Sequence, residues 1–129
     1  MRIRLAGCII KNSEGKILLL HRNTPKRNQW EIPGGKIDEG ESPEETAKRE
    51  VKEELNIDVQ ILNKIGEKEF SEDRYLMDYI WFNAKIISGE LRLMEEKFDE
   101  FNYFSFDELR ETKNKLSPNA RNFIDYEKN

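Results

Sequence analysis

Gly35–Ile57, GKIDEGESPEETAKREVKEELNI, decides how this chain is read. After a glycine loop, Ser42-Pro43-Glu44-Glu45 is a strong helix start. The serine can cap, proline suits the first helical position, and Glu45 is placed to return a capping bond. The helix is expected to run to about Leu55, with Asn56 accepting the left-handed conformation that ends it. Ala47, Val51 and Leu55 form its stripe for burial. Glu50, Glu53 and Glu54 recur at helical steps and project from one side, and Glu41 lies in the loop before them. Like charges so placed repel, and neither packing nor solubility asks for them. A hard divalent cation does, because Mg²⁺ prefers oxygen donors and is usually shared between carboxylates and substrate phosphates. The segment reads as a metal-dependent phosphate site.

Outward from that helix, the chain alternates strand and turn signals. Arg2–Ile10 reads as a strand, closed by the polar Lys11–Gly15 turn, and Lys16–His21 as a second strand paired with it in a hairpin. Asn23–Gln29 is a loop, and Trp30–Pro33 a short extended piece entering Gly34-Gly35. Beyond the helix, Ile57, Val59 and Ile61 alternate as in a half-buried strand. Two more strands are expected at Lys64–Phe70 and Tyr75–Ile87, and another at Glu100–Phe106 before a short helix from Asp107. Ser117-Pro118 repeats the cap-plus-proline signal for a last helix to about Tyr126. Strands with helices at both ends of the order suggest an α+β fold, a mixed β-sheet flanked by helices as an α/β/α sandwich.

The 129 residues are expected to form one domain, 1–129, with 36% apolar and 37% charged residues and no low-complexity tract. The longest apolar runs, around Leu5–Ile10 and Ile17–Leu20, are too short to span a bilayer, and the start lacks signal-peptide features. Cytoplasmic residence is the default expectation, with no membrane partner. Cys8 sits among apolar residues and reads as a small buried hydrophobe. The net charge of −4, without a basic stripe, argues against a nucleic-acid-coating surface. It leaves room for a nucleotide substrate, since a bound metal reverses the local sign of an acidic pocket.

Gly35, Glu41, Arg49-Glu50-Val51, Glu53-Glu54 and Asn56-Ile57 keep the spacing of the Nudix hydrolase signature, and the chain resembles that family, its MutT-like members in particular. The one departure is Asn56, where the family has glycine; the position ends a helix and asparagine is a mild substitute there. Trp30–Gly35 is similar to the family's lead-in, and Tyr103–Leu109 to its strand and helix after the site. The resemblance implies Mg²⁺- or Mn²⁺-dependent attack of water on a diphosphate linked to another moiety. It implies that Gly35, Glu50, Glu53 and Glu54 hold metal, with Glu50 and Glu53 catalytic. Arg49, one turn from Glu53, can pair with it and fix its rotamer. The water-activating base is Glu50 by position, or a carboxylate of the later loop: Glu100, with Glu95 or Glu96 behind it. Arg22 follows the second strand where MutT-like members carry a phosphate-contacting arginine. Tyr79, on the same strand face as Trp81, Tyr75 and Met77, could stack on a base, or belong to the core. Asn119 stands near the place of a base-reading asparagine, or serves only to cap the last helix.

The leading expectation is a nucleoside triphosphate pyrophosphohydrolase releasing nucleoside monophosphate and pyrophosphate, with nucleotide-pool sanitation as a use. The nearest alternatives act on ADP-ribose or other nucleoside diphosphate conjugates, or on dinucleoside polyphosphates. The former often carry a proline about fifteen residues past the signature, where this chain has Ser71, Glu72 and Asp73; for the latter a downstream tyrosine is the marker, and Tyr75 lies near that spacing. A rival of another class is a non-hydrolysing nucleotide-binding regulator, which tends to lose the glutamates retained here. A homodimer is a family-level expectation.

Overall fold

The computed structural model describes residues 2–127. The elements run β1 (Arg2–Ile10), β2 (Ile17–Asn23), β3 (Asn28–Glu31), β4 (Gly34–Lys36), α1 (Pro43–Leu55), β5 (Ile57–Glu72), β6 (Tyr75–Gly89), β7 (Phe98–Phe104), α2 (Phe106–Glu111), a 3-10 turn (Lys113–Lys115) and α3 (Pro118–Tyr126). They form two sheets, one in the order β4-β1-β6-β5 and one in the order β3-β2-β7. Among the described strand pairs β1–β6 alone is parallel, besides an isolated parallel bridge from Trp30 to Leu116. Both of those strands carry runs of five buried residues, Ala6–Ile10 and Asp78–Phe82. A strand covered on both faces reads as a continuous run instead of an alternation.

Residue parity on these strands divides the core. Ala6, Cys8, Ile10, Ile80 and Phe82 pack against Ala47, Val51 and Leu55 of α1. Ile9, Tyr79 and Trp81 pack on the opposite face against Leu109 of α2 and Ala120, Phe123 and Ile124 of α3. Helices thus cover both faces, giving the expected α/β/α arrangement. Among the described residues no helix is long and apolar enough to cross a membrane.

The helix signals hold in detail. Ser42 Oγ accepts from the Glu45 amide at 3.1 Å, and a Glu45 carboxylate oxygen accepts from the Ser42 amide at 2.9 Å. Asn56 ends α1 with φ of 64°. Ser105 and Glu108 repeat the same reciprocal cap on α2.

Four expectations for the strands change, the smallest being that the expected Asn23–Gln29 loop is strand at both ends, Asn23 in β2 and Asn28-Gln29 in β3, because β3 pairs with β2 through those residues. β1 and β2 do not form a hairpin: they share a single bridge, Lys11 to Ile17, and then diverge into different sheets. Both sides of β1 are already taken, by β4 and β6, so β2 pairs with β3 and β7 instead. The separate strands read at Ile57–Ile61 and Lys64–Phe70 are one strand, β5, whose ladder with β6 shifts register at Asp58/Val59, Ile61/Asn63 and Lys64/Gly66. Each bulge inserts an unpaired residue and breaks the alternation without ending the ladder. β7 starts at Phe98, earlier than the expected Glu100, because Phe98 is a buried anchor of the core on the α1 side.

Candidate active site

The pairing of β4 with β1 sets Gly35 opposite Ala6, itself level with Ile80 of β6. A Cβ on Gly34 would collide with the Ala6 carbonyl oxygen, the Tyr79 hydroxyl and the Gly7 Cα, and one on Gly35 with the carboxyl of Glu50. The two glycines therefore let strand backbone, helix carboxylate and Tyr79 converge. The Gly34 amide donates to Glu54 Oε1 at 3.0 Å. Glu54 is only 4% exposed, on the buried side of a helix otherwise charged around it.

Glu50 and Glu54 line a cavity of about 420 Å³ together with Gly34, Gly35, Arg22, Glu31 and Lys97. Its other walls come from Phe70, Met77, Tyr79 and Pro118, with Arg27, Glu72, Asp73 and Tyr75 at the β5–β6 turn. Tyr75 lies five residues along β6 from Ile80, the level of Gly35. At ~3.3 Å per residue the cavity extends about 16 Å from its acidic end to that turn.

The acidic end is electrostatically strained. Burial raises the Glu54 carboxyl well above its ordinary range, the charges of Glu50 and Glu95 add to this, and the Gly34 amide opposes it. Burial likewise raises Glu50, with Arg49 opposing and Glu53 adding. Glu95 comes from the β6–β7 loop, which is tied to the end of α1 by amides donating to helix carbonyls: Arg92 to Leu55 and Met94 to Glu54, each at 3.0 Å. These satisfy carbonyl oxygens that a helix end leaves open. Glu95 Oε1 is buried and accepts no hydrogen bond.

Arg49 organises the rim. It donates from Nε and Nη2 to the two oxygens of Glu41 at 2.6 and 3.0 Å, and from Nη1 to Glu53 at 3.1 Å and Glu50 at 3.3 Å. Thr46 Oγ1 adds a bond to Glu41 at 2.7 Å. With Arg49 as the chief cause, the Glu41 carboxyl is held down to about 2. Glu41 is thus a brace for the arginine.

Of the residues singled out from sequence, Gly35, Glu50, Glu54, Arg22, Tyr79 and Asn119 line one cavity. Glu53 does not line it and is paired with Arg49. Arg22 is clamped by Glu31, Nε to Oε2 at 2.6 Å and Nη2 to Oε1 at 3.0 Å. Asn119 Oδ1 accepts from the Trp81 indole N–H at 2.8 Å, which fixes the amide so that its NH₂ is the end left over. Tyr79 is buried as core and also forms cavity wall. Glu100 is not brought to this group. It is exposed and pairs with His21 across the β2–β7 ladder, so it projects on the His21 face, away from Arg22. Of the loop carboxylates, Glu95 is the one whose charge reaches Glu50 and Glu54, although it does not itself line the cavity. His21 is occupied by Asp99 at 2.7 Å and Asn28 at 2.9 Å.

Sequence reasoning missed Glu31, Lys97 and Arg27. Glu31 could have been found from the β2–β3 pairing, which sets Arg22 opposite Gln29, within reach of Glu31 on the same face. Lys97 and Arg27 carry no local signal.

As the side chains stand, no three acidic, histidine or cysteine residues among those described form a finished metal cage. The donor set still fits a hard divalent ion. Glu50, Glu54 and Glu95 are mutually repelling oxygen donors, one with an orphaned buried oxygen, beside a glycine that leaves space.

The NUDIX domain family matches residues 1–126. The chain belongs to the Nudix family. Its 8-oxo-dGTP diphosphatase relative from Escherichia coli K12 is 32% identical over 83 residues, 62% of this chain and 64% of the relative. Similarity to that relative and to those of Haemophilus influenzae and Bacillus subtilis spans between 42% and 64% of their lengths. Among solved Nudix structures, the MutT protein of Methanosarcina mazei Go1 superposes with a TM-score of 0.85 at 26% identity, covering 97% of this chain and 91% of that one. The MutT Nudix hydrolase of Burkholderia pseudomallei gives 0.84 at 26% identity, with 97% of both chains covered.

Proposed function

We propose that this Nudix chain is a hydrolase of phosphoanhydride bonds, acting on nucleoside triphosphates to give nucleoside monophosphate and pyrophosphate. The observation that carries the reading is the cavity. Its one end holds carboxylates that repel each other, and Phe70, Met77 and Tyr79 give it an apolar and aromatic wall before the charged β5–β6 turn, as suits a nucleotide with a metal-shared phosphate chain. Glu50, Glu54 and Glu95 would hold Mg²⁺ or Mn²⁺, with Glu53 joining on release from Arg49 and the Gly35 backbone alongside. When bound, such an ion neutralises phosphate oxygens and lowers the pKa of a water.

The chain's own residues do the rest. Glu50, half-buried and raised in proton affinity, accepts the proton of the attacking water, and Glu95 is the second carboxylate within reach of that role. Arg22, held by two bonds to Glu31, presents its remaining N–H groups to a phosphate. Phe70, Met77 and Tyr79 form the wall for the base, with the Asn119 amide at its side. The name of the Escherichia coli relative makes oxidised purine nucleoside triphosphates the first substrates to try. A second reading, dinucleoside polyphosphates, is favoured by Tyr75, exposed at the cavity wall.

The test is nucleotide product analysis, with pyrophosphate release scored for the triphosphates, over a panel of canonical, oxidised and methylated triphosphates, with ADP-ribose and diadenosine compounds alongside, with and without Mg²⁺. Metal-dependent release from a triphosphate is expected. Zero turnover across the panel refutes the proposal and leaves a nucleotide binder.

A further inference from the structure

We propose that Lys97 is a second phosphate-contacting cation of this cavity, meeting the phosphates that leave as pyrophosphate; the inference rests on the hydrolase reading above. Among the described residues four cationic side chains line the cavity: Arg22, Arg27, Lys36 and Lys97. Arg22 already spends two donors on Glu31. Arg27 belongs to the far end, where it reaches Glu72 at 3.3 Å and Asp73 at 3.2 Å across the β5–β6 turn. Lys36 stands level with Leu5 on the exposed side of β4. Lys97 alone combines a place at the carboxylate end with a loosely engaged ammonium. Its Nζ is 3.5 Å from Glu95 Oε1, an ion pair without a hydrogen bond.

The backbone of Lys97 is fixed, while its ammonium is held by the long ion pair to Glu95 and the face of the Phe98 ring. The Asn23 amide donates to the Lys97 carbonyl at 2.9 Å, and the Phe98 amide to the Glu95 carbonyl at 3.2 Å. Phe98, 4% exposed, anchors this corner in the core. Its ring carries the Lys97 ammonium at 5.3 Å from the centroid and the Arg22 guanidinium at 5.2 Å. One buried aromatic thus gathers two cations, through the attraction of its π-cloud, beside the acidic end. The charge of Lys97 reaches Glu54 as well. With the Phe70, Met77 and Tyr79 wall taking the base, the phosphates farthest from the nucleoside come to the Phe98 corner. An ammonium with three rotatable donors suits a terminal phosphate whose oxygens turn freely.

The experiment compares wild type with Lys97→Met, Lys97→Gln and Lys97→Arg. Calorimetry measures binding of inorganic pyrophosphate and of the nucleoside monophosphate product, each with Mg²⁺, and kinetics measures kcat/KM on the best triphosphate. Lys97→Met and Lys97→Gln are expected to weaken pyrophosphate by about tenfold or more, as for loss of a charge-assisted contact, and to leave the monophosphate within about twofold. The kcat/KM should fall by a similar factor, and Lys97→Arg should recover most of both. Pyrophosphate bound as tightly by Lys97→Met as by wild type overturns the inference. Equal weakening of both products also overturns it, because that marks a disturbed Phe98 corner and not a phosphate contact. Should the wild type hydrolyse no triphosphate, the hydrolase reading fails, while the pyrophosphate comparison still decides Lys97.

Discussion

Replacing Gly35 with alanine separates activity from stability. The added methyl points into the Glu50 carboxyl, with Glu50 Oε2 2.5 Å and Oε1 2.6 Å from the new Cβ. Ordinary contact needs about 3.5 Å, so the carboxyl has to retreat by about 1 Å. It can do so, because it is the end of a flexible side chain, at an off-rotamer cost of about 1 kcal/mol. A shift of that size at a reacting group costs on the order of a hundredfold in rate, or about 2.7 kcal/mol of barrier. Gly35→Ala should therefore lose about a hundredfold in kcat at saturating Mg²⁺ while melting within a few degrees of wild type. Gly15→Ala is the mirror control. Gly15 has φ of +77° and open space around it, in the turn between β1 and β2. A methyl there costs about 1–2 kcal/mol of backbone strain, so its melting temperature should drop while kcat stays unchanged. Steady-state kinetics and thermal melts on both variants decide the matter. A Gly35→Ala enzyme within threefold of wild-type kcat would refute the placement of Glu50 in the reaction.

Glu54→Gln keeps an acceptor for the Gly34 amide and removes a buried charge, so turnover should fall by at least about a hundredfold with the fold intact. The raised Glu54 carboxyl stabilises the metal-free protein fully only below its ordinary value of 4.5, and that contribution is lost as pH rises toward the folded value. Melts from pH 5 to 8 without metal should show Glu54→Gln gaining on wild type with rising pH; a constant or shrinking difference contradicts the burial argument. Burial pushes the Cys8 thiol up to about 12 from 9.0, so a thiol reagent at pH 8 should label the native protein negligibly and the unfolded chain fully. Its stabilising contribution is present below 9.0 and declines as pH climbs from there toward 12, because the unfolded thiol ionises first. Glu95→Gln should lower kcat by about tenfold or more, whereas Glu100→Gln should leave it within twofold; the reverse order would return the loop base to β7.

Reading the helix from sequence succeeded because its determinants are local. Ser42, Pro43 and Glu45 act within one turn, and Asn56 is a residue type that tolerates the left-handed conformation it adopts. The carboxylate spacing on α1 is equally local, since 3.6-residue periodicity alone sets which glutamates share a side. Periodicity could not rank those glutamates. Glu54 is buried against Gly34 and Glu53 is half exposed beside Arg49, a difference made by β4 lying against one edge of the helix. Tyr79 and Asn119 were named from sequence with core and capping left open as their roles, and the indole bond that orients Asn119 joins residues 38 apart.

The sequence by itself determined the family, the cap-to-cap extent of α1, and the chemistry its glutamates can support, all properties of side-chain type at fixed local spacing. Tertiary structure decided which strands pair, which loop carboxylate faces the helix, and which cations enter the cavity. Glu95 and Glu100 look alike in a charged stretch. A β-bulge between His21 and Arg22 and two amides capping the end of α1 turn one inward and leave the other in water. Such choices depend on contacts between segments far apart in the chain, where burial and hydrogen-bond satisfaction outweigh any local preference.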